Sequence, residues 1–162
     1  IKIGGRLILM EDAILSAAGK KPFDVQKKEQ LKDELVISNT PRFLSRKQAN
    51  LSNAIPGAIL KVELDHSHPI AAGLGNYYYT LKTDDKLYEF LNKGWNVGVL
   101  KPGNYVAGIA GEGVLKKLGN GMLFGVQQEG KGTVIYFGTN LLFRSFWAHG
   151  KQLFTNAIFL VN

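Results

Sequence analysis

Five short segments rich in β-forming residues follow one another in the second half of the chain, and they constrain its fold more than any other feature. Each is bounded by Gly, Asn, Asp or Pro, which end strands and form turns. The pattern predicts strands over 77–81, 95–100, 105–109, 122–127 and 133–137. A β-sheet must therefore form the centre of this chain.

The first half adds two strands to the prediction, together with helices. The apolar run 7–10 and the segment 58–64, which follows the turn signal Ile55-Pro56-Gly57, are typical of strands. Helical segments are predicted over 14–18, 24–34, 42–53 and 87–91, with a closing helix around 153–160. Strands and helices in this order indicate the α/β class.

Length and charge narrow the possibilities further. The chain has 162 residues, 45% of them apolar, which is enough for one core, so we expect a single domain over 1–162. The net charge of +7 is spread without a run of five like charges, so nucleic acid is not an expected partner. No apolar run approaches the roughly 18–20 residues of a membrane helix. The chain begins with Ile1 instead of methionine, and its first residues are typical of the end of a helix followed by glycine. We therefore expect it to be a fragment of a longer protein.

Several catalytic patterns are excluded by residue type. The chain has no cysteine, so it lacks disulfides, thiolate zinc ligands and a cysteine nucleophile, and no serine lies in a Gly-x-Ser-x-Gly motif. The segment 125–133 nearly matches a phosphate-binding loop, but Gly132 stands where Ser or Thr is required, and a strand follows instead of a helix. Gly130-Lys131-Gly132 is therefore interpreted as a hairpin turn. No catalytic residue is assigned.

Four residues are candidates for ligand binding. Asp65, His66 and His68 follow the predicted strand 58–64, at the end where open α/β sheets bind ligands. A metal site, a ligand crevice and hydrogen bonding within a turn are all consistent with this segment, and no metal ligand is assigned. Arg144 is suited to a carboxylate or to bridging loop carbonyls. The tyrosines 77–79 can stack on sugars or alternate between core and neighbouring strand.

A set of spaced motifs resembles a known family. The residues that carry the resemblance are the segments 4–10, 55–59, 64–73, 130–137, 143–147 and 153–158. Together they resemble the carboxyl-terminal domain of large bacterial zinc carboxypeptidases, which is similar in fold to class I glutamine amidotransferases. The resemblance implies a three-layer, flavodoxin-like, mainly parallel sheet with helices on both faces and an antiparallel portion over 105–137.

The same resemblance implies where the chemistry of the parent protein would lie. Zinc and hydrolysis would belong to a peptidase domain outside this chain, and no cofactor is expected within it. The cysteine nucleophile of the amidotransferases has no counterpart here, which implies a domain without catalysis. Family members are exported, so the resemblance implies a periplasmic or extracellular location. It also implies strands upstream of Ile1, whose absence would leave a sheet edge bare and favour self-association.

These observations leave three hypotheses about function. The first is a non-catalytic accessory domain whose partner is the peptidase domain of the same parent chain. The second is a module that binds envelope glycan or peptide in a crevice beyond Leu64, centred on Asp65, His66 and His68, with Arg144 as an additional candidate. The third is an independent hydrolase.

Overall fold

The computed structural model describes residues 1–29, 50–145 and 147–161, and its strands form one seven-stranded sheet. The strands are β1 (Arg6–Met10), β2 (Gly57–Leu64), β3 (Tyr77–Lys82), β4 (Gly94–Leu100), β5 (Tyr105–Ile109), β6 (Gly121–Glu129) and β7 (Gly132–Phe137). The described helices are α1 (Ala13–Ala17), α2 (Glu112–Lys117) and α3 (Ala148–Phe159), with 3₁₀ turns η1 (Pro69–Ala71) and η2 (Phe143–Ser145).

The sheet is mixed and mostly antiparallel, and it curls into a half-barrel. Its order is β1-β7-β6-β4-β2-β3, with β5 pairing with β2 beside β4. Among the described strands, β1 and β7 form the only parallel pair, and every other pair is antiparallel. The expected three-layer, mainly parallel, flavodoxin-like fold is therefore wrong, and the antiparallel portion extends well beyond 105–137.

Connection length explains this correction. A parallel crossover needs a dozen or more residues, usually including a helix. The link from β6 to β7 is far shorter, spanning only 130–131. The Gly130 turn, with φ of 64°, joins an antiparallel hairpin in which Glu129 lies opposite Gly132, so the hairpin prediction is confirmed. A link this short forces the strand direction to reverse, whereas β4 and β5, joined by 101–104, both pair antiparallel with β2 and so continue in one direction along it.

The helix predictions had mixed outcomes. The helices expected over 14–18 and near the carboxyl end are present as α1 and α3, whereas α2 was not predicted. The predicted helix 24–34 is wrong over 24–29, where the backbone is extended, and 30–34 lies outside the described residues. Of the helix 42–53, residues 50–52 are helical and 42–49 lie outside the described part. The helical turn 87–91 is wrong, because Tyr88 bridges Lys27 and Met122 as an extended residue.

One half of the sheet is buried on both faces. Along β7, Val134 and Tyr136 join one buried cluster with Ile14 of α1, while Ile135 and Phe137 join a second cluster that includes α3. Alternation of side chains along a strand produces this division. All six residues of β7 are buried. The β1-β7-β6 half is therefore covered by α1 and the segment around Val25 on one side and by α3 on the other.

Aromatic rings fill the core where the two halves meet. The ring of Phe124 contacts those of Tyr78 and Phe137 edge to face, with centroids 5.4 and 5.6 Å apart. Opposite Phe124 on β4 lies Gly98, whose missing Cβ would sit 2.3 Å from the Phe124 ring. Only a residue without a side chain allows this approach.

The outer edge of β3 is closed by the chain that follows β7. The indole Nε1 of Trp147 donates to the carbonyl of Tyr79 at 2.7 Å, and the hydroxyl of Thr139 donates to the carbonyl of Leu81 at 3.1 Å. The buried Lys82 amine donates to the carbonyl of Gly138 at 3.1 Å. Side chains thus satisfy carbonyls that a further strand would otherwise use.

Candidate functional site

The turn after β2 holds the Asp65 carboxylate in hydrogen bonds of its own. Asp65 Oδ1 accepts from the backbone N–H of Ser67 at 3.0 Å and from its hydroxyl at 2.5 Å. This is the local bonding that Asp favours in turns. The bond from the Ser67 hydroxyl is the main cause that lowers the pKa of Asp65, so the carboxylate is ionised. Hydrogen bonding within the turn, one of the roles that the sequence allowed for this segment, is therefore what Asp65 does in the structure.

His68 has a similar structural part. Its Nδ1 accepts from the backbone N–H of Ile70 at 3.2 Å and so caps η1. Burial lowers the pKa of His68, although the Asp65 charge opposes the shift. A neutral imidazole is the form in which Nδ1 can accept this bond. The ring also packs against Trp95, with centroids 5.7 Å apart.

Three of the four candidate residues lie on the turn after β2, and the fourth, Arg144, belongs to η2. His66 is exposed on the same turn as Asp65 and His68. Arg144 is exposed in η2, where its guanidinium lies 5.2 Å from the Phe143 ring centroid and its φ is 48°. Within the described part of the chain, no hydrogen bond or ion pair that we identify joins Arg144 to the turn. Asp65, His66 and His68 therefore share one turn, where His68 packs against Trp95, and Arg144 lies on a different element.

Sequence reasoning missed Trp95. This side chain is 49% exposed at the rim of the half-barrel, beside His68. The signal was weak, because Trp95 stands in a predicted strand where an aromatic residue is ordinarily part of the core. Irregular pairing between Trp95 and Gly98 turns the side chain out toward the rim.

A second feature is an uncovered surface on β2 and β3. Tyr77 and Tyr79 are 47% and 42% exposed, and they lie opposite Glu63 and Lys61 respectively. We call these four residues the open face. The Lys61 amine lies 4.7 Å from the centroid of the Tyr77 ring, and Glu63 forms an ion pair of 2.5 Å with Lys101. Tyr78, between the two exposed tyrosines, is buried, so the alternation considered from sequence is what the structure shows.

Lys82 is a buried amine, but its contacts give it a structural role. Its side chain is only 2% exposed, and the amine is paired with the Asp84 carboxylate and the Gly138 carbonyl. Burial lowers the pKa of Lys82, and the Asp84 charge acts against this shift. The pair joins the end of β3 to the end of β7. Because the Lys82 amine is buried and bonded to both Asp84 and Gly138, it is not accessible to a substrate. We call this set of contacts the clamp.

Three cavities in the described part of the chain are lined by residues other than the four candidates. One of about 400 Å³ is lined mainly by charged residues around α2, among them Lys28, Glu112 and Lys117. Two others lie beside Arg6 and beside Tyr105. Asp65, His66, His68 and Arg144 line none of these three. Among residues 1–29, 50–145 and 147–161, no group of three or more His, Asp or Glu side chains is placed to share a metal ion.

Two further findings bear on partners and identity. Of the helices within the described ranges, none combines the length and hydrophobicity that a bilayer crossing requires. Comparison of the chain with protein-family models, with curated proteins and with solved structures gives no match.

Proposed function

We propose that this chain is a non-catalytic interaction domain that docks onto another protein domain through the open face. The observation that carries the proposal is the contrast between the two sides of β2 and β3. Leu60, Val62 and Tyr78 are at most 1% exposed on the inner side, whereas Tyr77 and Tyr79 stand nearly half exposed on the outer side. No described element covers these tyrosines.

The chemistry of the open face favours a protein partner. Tyrosine offers a large contact area at a small cost in side-chain entropy, and it is enriched among the residues that dominate binding energy. Lys61 lies over the Tyr77 ring, Glu63 and Lys101 form an ion pair beside it, and the chain as a whole carries +7. The complementary surface is therefore apolar where it meets the tyrosines and acidic where it meets Lys61.

We propose the peptidase domain of a bacterial zinc carboxypeptidase as the partner, following the resemblance of the sequence. Zinc and hydrolysis would then belong to that domain, and the protein would act in the periplasm or outside the cell. The bonding of the turn supports a role without catalysis, because the Asp65 carboxylate and His68 Nδ1 both serve backbone groups. The chain also has no cysteine, so it lacks the nucleophile that amidotransferase chemistry uses.

The test begins with the coding sequence on both sides of this chain. If a zinc peptidase domain is encoded there, it is expressed separately and its affinity for the chain is measured by calorimetry. Changing Tyr77 and Tyr79 to serine should weaken binding by about tenfold or more, because two anchors are lost. Phe159→Ser is the matched control, since Phe159 is 72% exposed on α3, away from the open face.

Two results would overturn the proposal. One is a reading frame that encodes no peptidase domain. The other is unchanged affinity in the double tyrosine variant, which would show that the open face is not the contact surface. Equal weakening by Phe159→Ser would likewise contradict the assignment, because it would indicate a general effect of removing exposed apolar area.

A second candidate function is favoured by the packing of His68 against Trp95. A half-exposed indole beside His68, on the turn that also carries Asp65 and His66, is a suitable surface for a sugar ring or an extended peptide. Titration with envelope glycan fragments, followed by NMR, should perturb the Trp95 and His66 signals first. Trp95→Ala should abolish the perturbation, while Phe90→Ala, which alters an aromatic residue that is 40% exposed, should not.

A further inference from the structure

The strand β1 is an edge of the sheet that no described strand extends. It ends the strand order, with β7 as its strand neighbour in the described part of the chain. At the opposite edge, carbonyls of β3 are bonded by the side chains of Trp147 and Thr139. The sequence of β1, Arg-Leu-Ile-Leu-Met, has no proline and carries one charge, at Arg6. It therefore lacks most of the features that protect an edge from a further strand.

The pairing of β1 with β7 determines which backbone groups face outward. The two strands are parallel with Arg6 opposite Thr133, and the N–H of Thr133 donates to the carbonyl of Gly5 at 3.0 Å. In a parallel pair of this register, odd-numbered residues of β1 bond to β7, and even-numbered residues direct their N–H and C=O groups away from it. The outer edge of β1 therefore presents the backbone donors and acceptors of Arg6, Ile8 and Met10.

Side chains on both faces of β1 are only partly buried. Leu7 and Leu9 pack against the cluster that includes α1. Ile8 and Met10 pack against the cluster that includes α3. None of these four side chains is fully buried, in contrast to the six residues of β7. A strand added beside β1 would cover the area that α1 and α3 leave exposed, through cross-strand contacts.

A cavity of about 460 Å³ lies along this edge, on the side of β1 that faces α3. Ile8 and Ile158 supply its apolar wall, and Arg6 and Lys131 place two positive charges at it. The Arg6 guanidinium donates to the carbonyl of Ile158, which holds the side chain against the wall. No acidic residue is among the described residues that line this cavity.

We propose that β1 binds an extended segment of a partner protein as an added strand. An acidic side chain of that segment lies at Arg6 and Lys131, and an aliphatic side chain lies beside Ile8. Since alternate residues of a strand share one face, these two side chains are two positions apart in the partner. This surface is separate from the open face, so the proposal does not depend on the proposed function.

Charge complementarity selects an acidic segment as the occupant. The cavity lining is basic, and the chain as a whole carries +7, so an acidic partner is attracted and a basic one is repelled. In strand addition, main-chain hydrogen bonds provide affinity, and pockets for alternate side chains provide specificity. The outward groups of β1 supply the first, and the cavity supplies the second.

The exposed strand β5 is less suited to a partner strand. Its pairing with β2 shifts register between Ile59 and Leu60, and such an irregularity interrupts the regular alternation along an edge. The pairing of β1 with β7 has no register shift over its five residues. The amide signals of β5 therefore serve as an internal control for binding at β1.

NMR titration of the isotope-labelled chain with synthetic peptides tests the proposal. Acetyl-Thr-Glu-Thr-Val-Thr-Val-Thr-amide and its reversed sequence, acetyl-Thr-Val-Thr-Val-Thr-Glu-Thr-amide, offer the acidic and aliphatic side chains in the two possible strand directions. At least one should bind with a Kd of about 10 µM to 1 mM, because a short edge buries little area. It should shift the amide signals of Arg6, Ile8 and Met10 and leave those of β5 in place.

N-methylation of the bound peptide on alternate residues tests strand addition itself. One set of methyl groups removes the N–H donors that face β1, and the other set removes the donors that face solvent. The first peptide should not bind, and the second should bind as the unmodified peptide does. Replacing the glutamate of the peptide by lysine should weaken binding by about tenfold or more.

A charge reversal in the protein tests the cavity. Lys131 is exposed in the turn between β6 and β7, and Lys131→Glu should weaken binding of the acidic peptide by about threefold to tenfold. Lys61→Glu is the matched control, because it makes the same charge change on β2, with three strands between it and β1. It should leave the affinity nearly unchanged.

Several results would overturn the proposal. These are the absence of binding by both peptides up to about 1 mM, equal binding of the two methylated forms, and equal weakening by Lys131→Glu and Lys61→Glu. Shifts at β5 as large as those at β1 would indicate unspecific association with exposed edges. If the free chain dimerises and the dimer protects the amides of Arg6, Ile8 and Met10 from exchange, the occupant is a second copy and the proposal is wrong.

Discussion

The two halves of the sheet differ in how their faces are covered. In the β1-β7-β6 half, side chains pack on both faces, so β7 is buried from end to end. In the β2-β3-β5 half, residues alternate between core and solvent along β2 and β3, and β5 is exposed throughout. The first half therefore supplies most of the stability, and the second supplies exposed faces for partners.

We call the β1-β7-β6 half the closed half and the β2-β3-β5 half the open half. The largest expected effect on stability is the loss of a core ring in the closed half. Phe124→Ala removes a fully buried ring that contacts Tyr78 and Phe137, and it should lower the free energy of unfolding by about 3–5 kcal/mol. Urea denaturation measures this. Tyr79→Ala in the open half is the comparison, and it should cost about 0.5 kcal/mol or less. Similar losses in both variants would contradict the division.

Next in size is the clamp between the ends of β3 and β7. Asp84→Ala leaves the Lys82 amine buried without its carboxylate, which should cost about 3 kcal/mol. Adding Lys82→Met should recover much of this loss, because no buried charge is then left unpaired. Denaturation of the two variants measures the recovery. If the double variant were less stable than Asp84→Ala, Lys82 would stabilise the protein by more than its ion pair with Asp84.

Two tyrosines of the closed half give a smaller, matched contrast. Tyr136 donates to Gln127 Oε1 at 2.6 Å, so Tyr136→Phe should cost about 1 kcal/mol. The buried hydroxyl of Tyr88 has no hydrogen-bond partner among the described residues, so Tyr88→Phe should be neutral or slightly stabilising. Thermal unfolding of both variants measures the difference, and equal destabilisation would contradict the assignment.

Burial raises the pKa of both tyrosines above the ordinary value of 10.0. The folded state then holds these protons more tightly than the unfolded chain does. The associated stability is fully present below pH 10 and is lost as the pH rises above it. Each phenylalanine variant should therefore show a weaker loss of stability in alkaline solution than the wild-type protein does.

The smallest effect is expected at the rim of the open half. Because burial lowers the pKa of His68 below 6.5, the unfolded chain binds its proton more tightly, and stability should fall as the pH drops below 6.5. His68→Asn keeps an acceptor for the Ile70 N–H and should remove this pH dependence, whereas His68→Ala should cost about 0.5 kcal/mol at neutral pH. An unchanged acid profile in His68→Asn would assign the dependence to another group.

The positions of the strands could be predicted from sequence, but their directions could not. All seven predicted strands are present, because runs of β-forming residues ended by turn residues report local preference. Direction depends on which strands pair, and periodicity does not carry that information. Link lengths do carry part of it, and the two-residue link 130–131 was the available sign of antiparallel pairing between β6 and β7.

The site was predictable only in its local part. Asp65 and His68 were identified because polar residues after a strand are visible in sequence. Trp95 was missed because its exposure depends on irregular pairing with β6. The helix predicted over 24–34 failed at 24–29 for a related reason, since the bridge of Lys27 to Tyr88 overrides local helical preference.

The approach of Gly98 to the Phe124 ring has a consequence for how this protein can change over evolution. As long as an aromatic ring occupies position 124, a Cβ at position 98 would overlap it, so substitutions at 98 are selected against. If position 124 shrinks to an aliphatic residue, position 98 becomes free to vary. Homologous sequences should therefore show these two positions changing together, and an aromatic residue at 124 should be accompanied by glycine at 98.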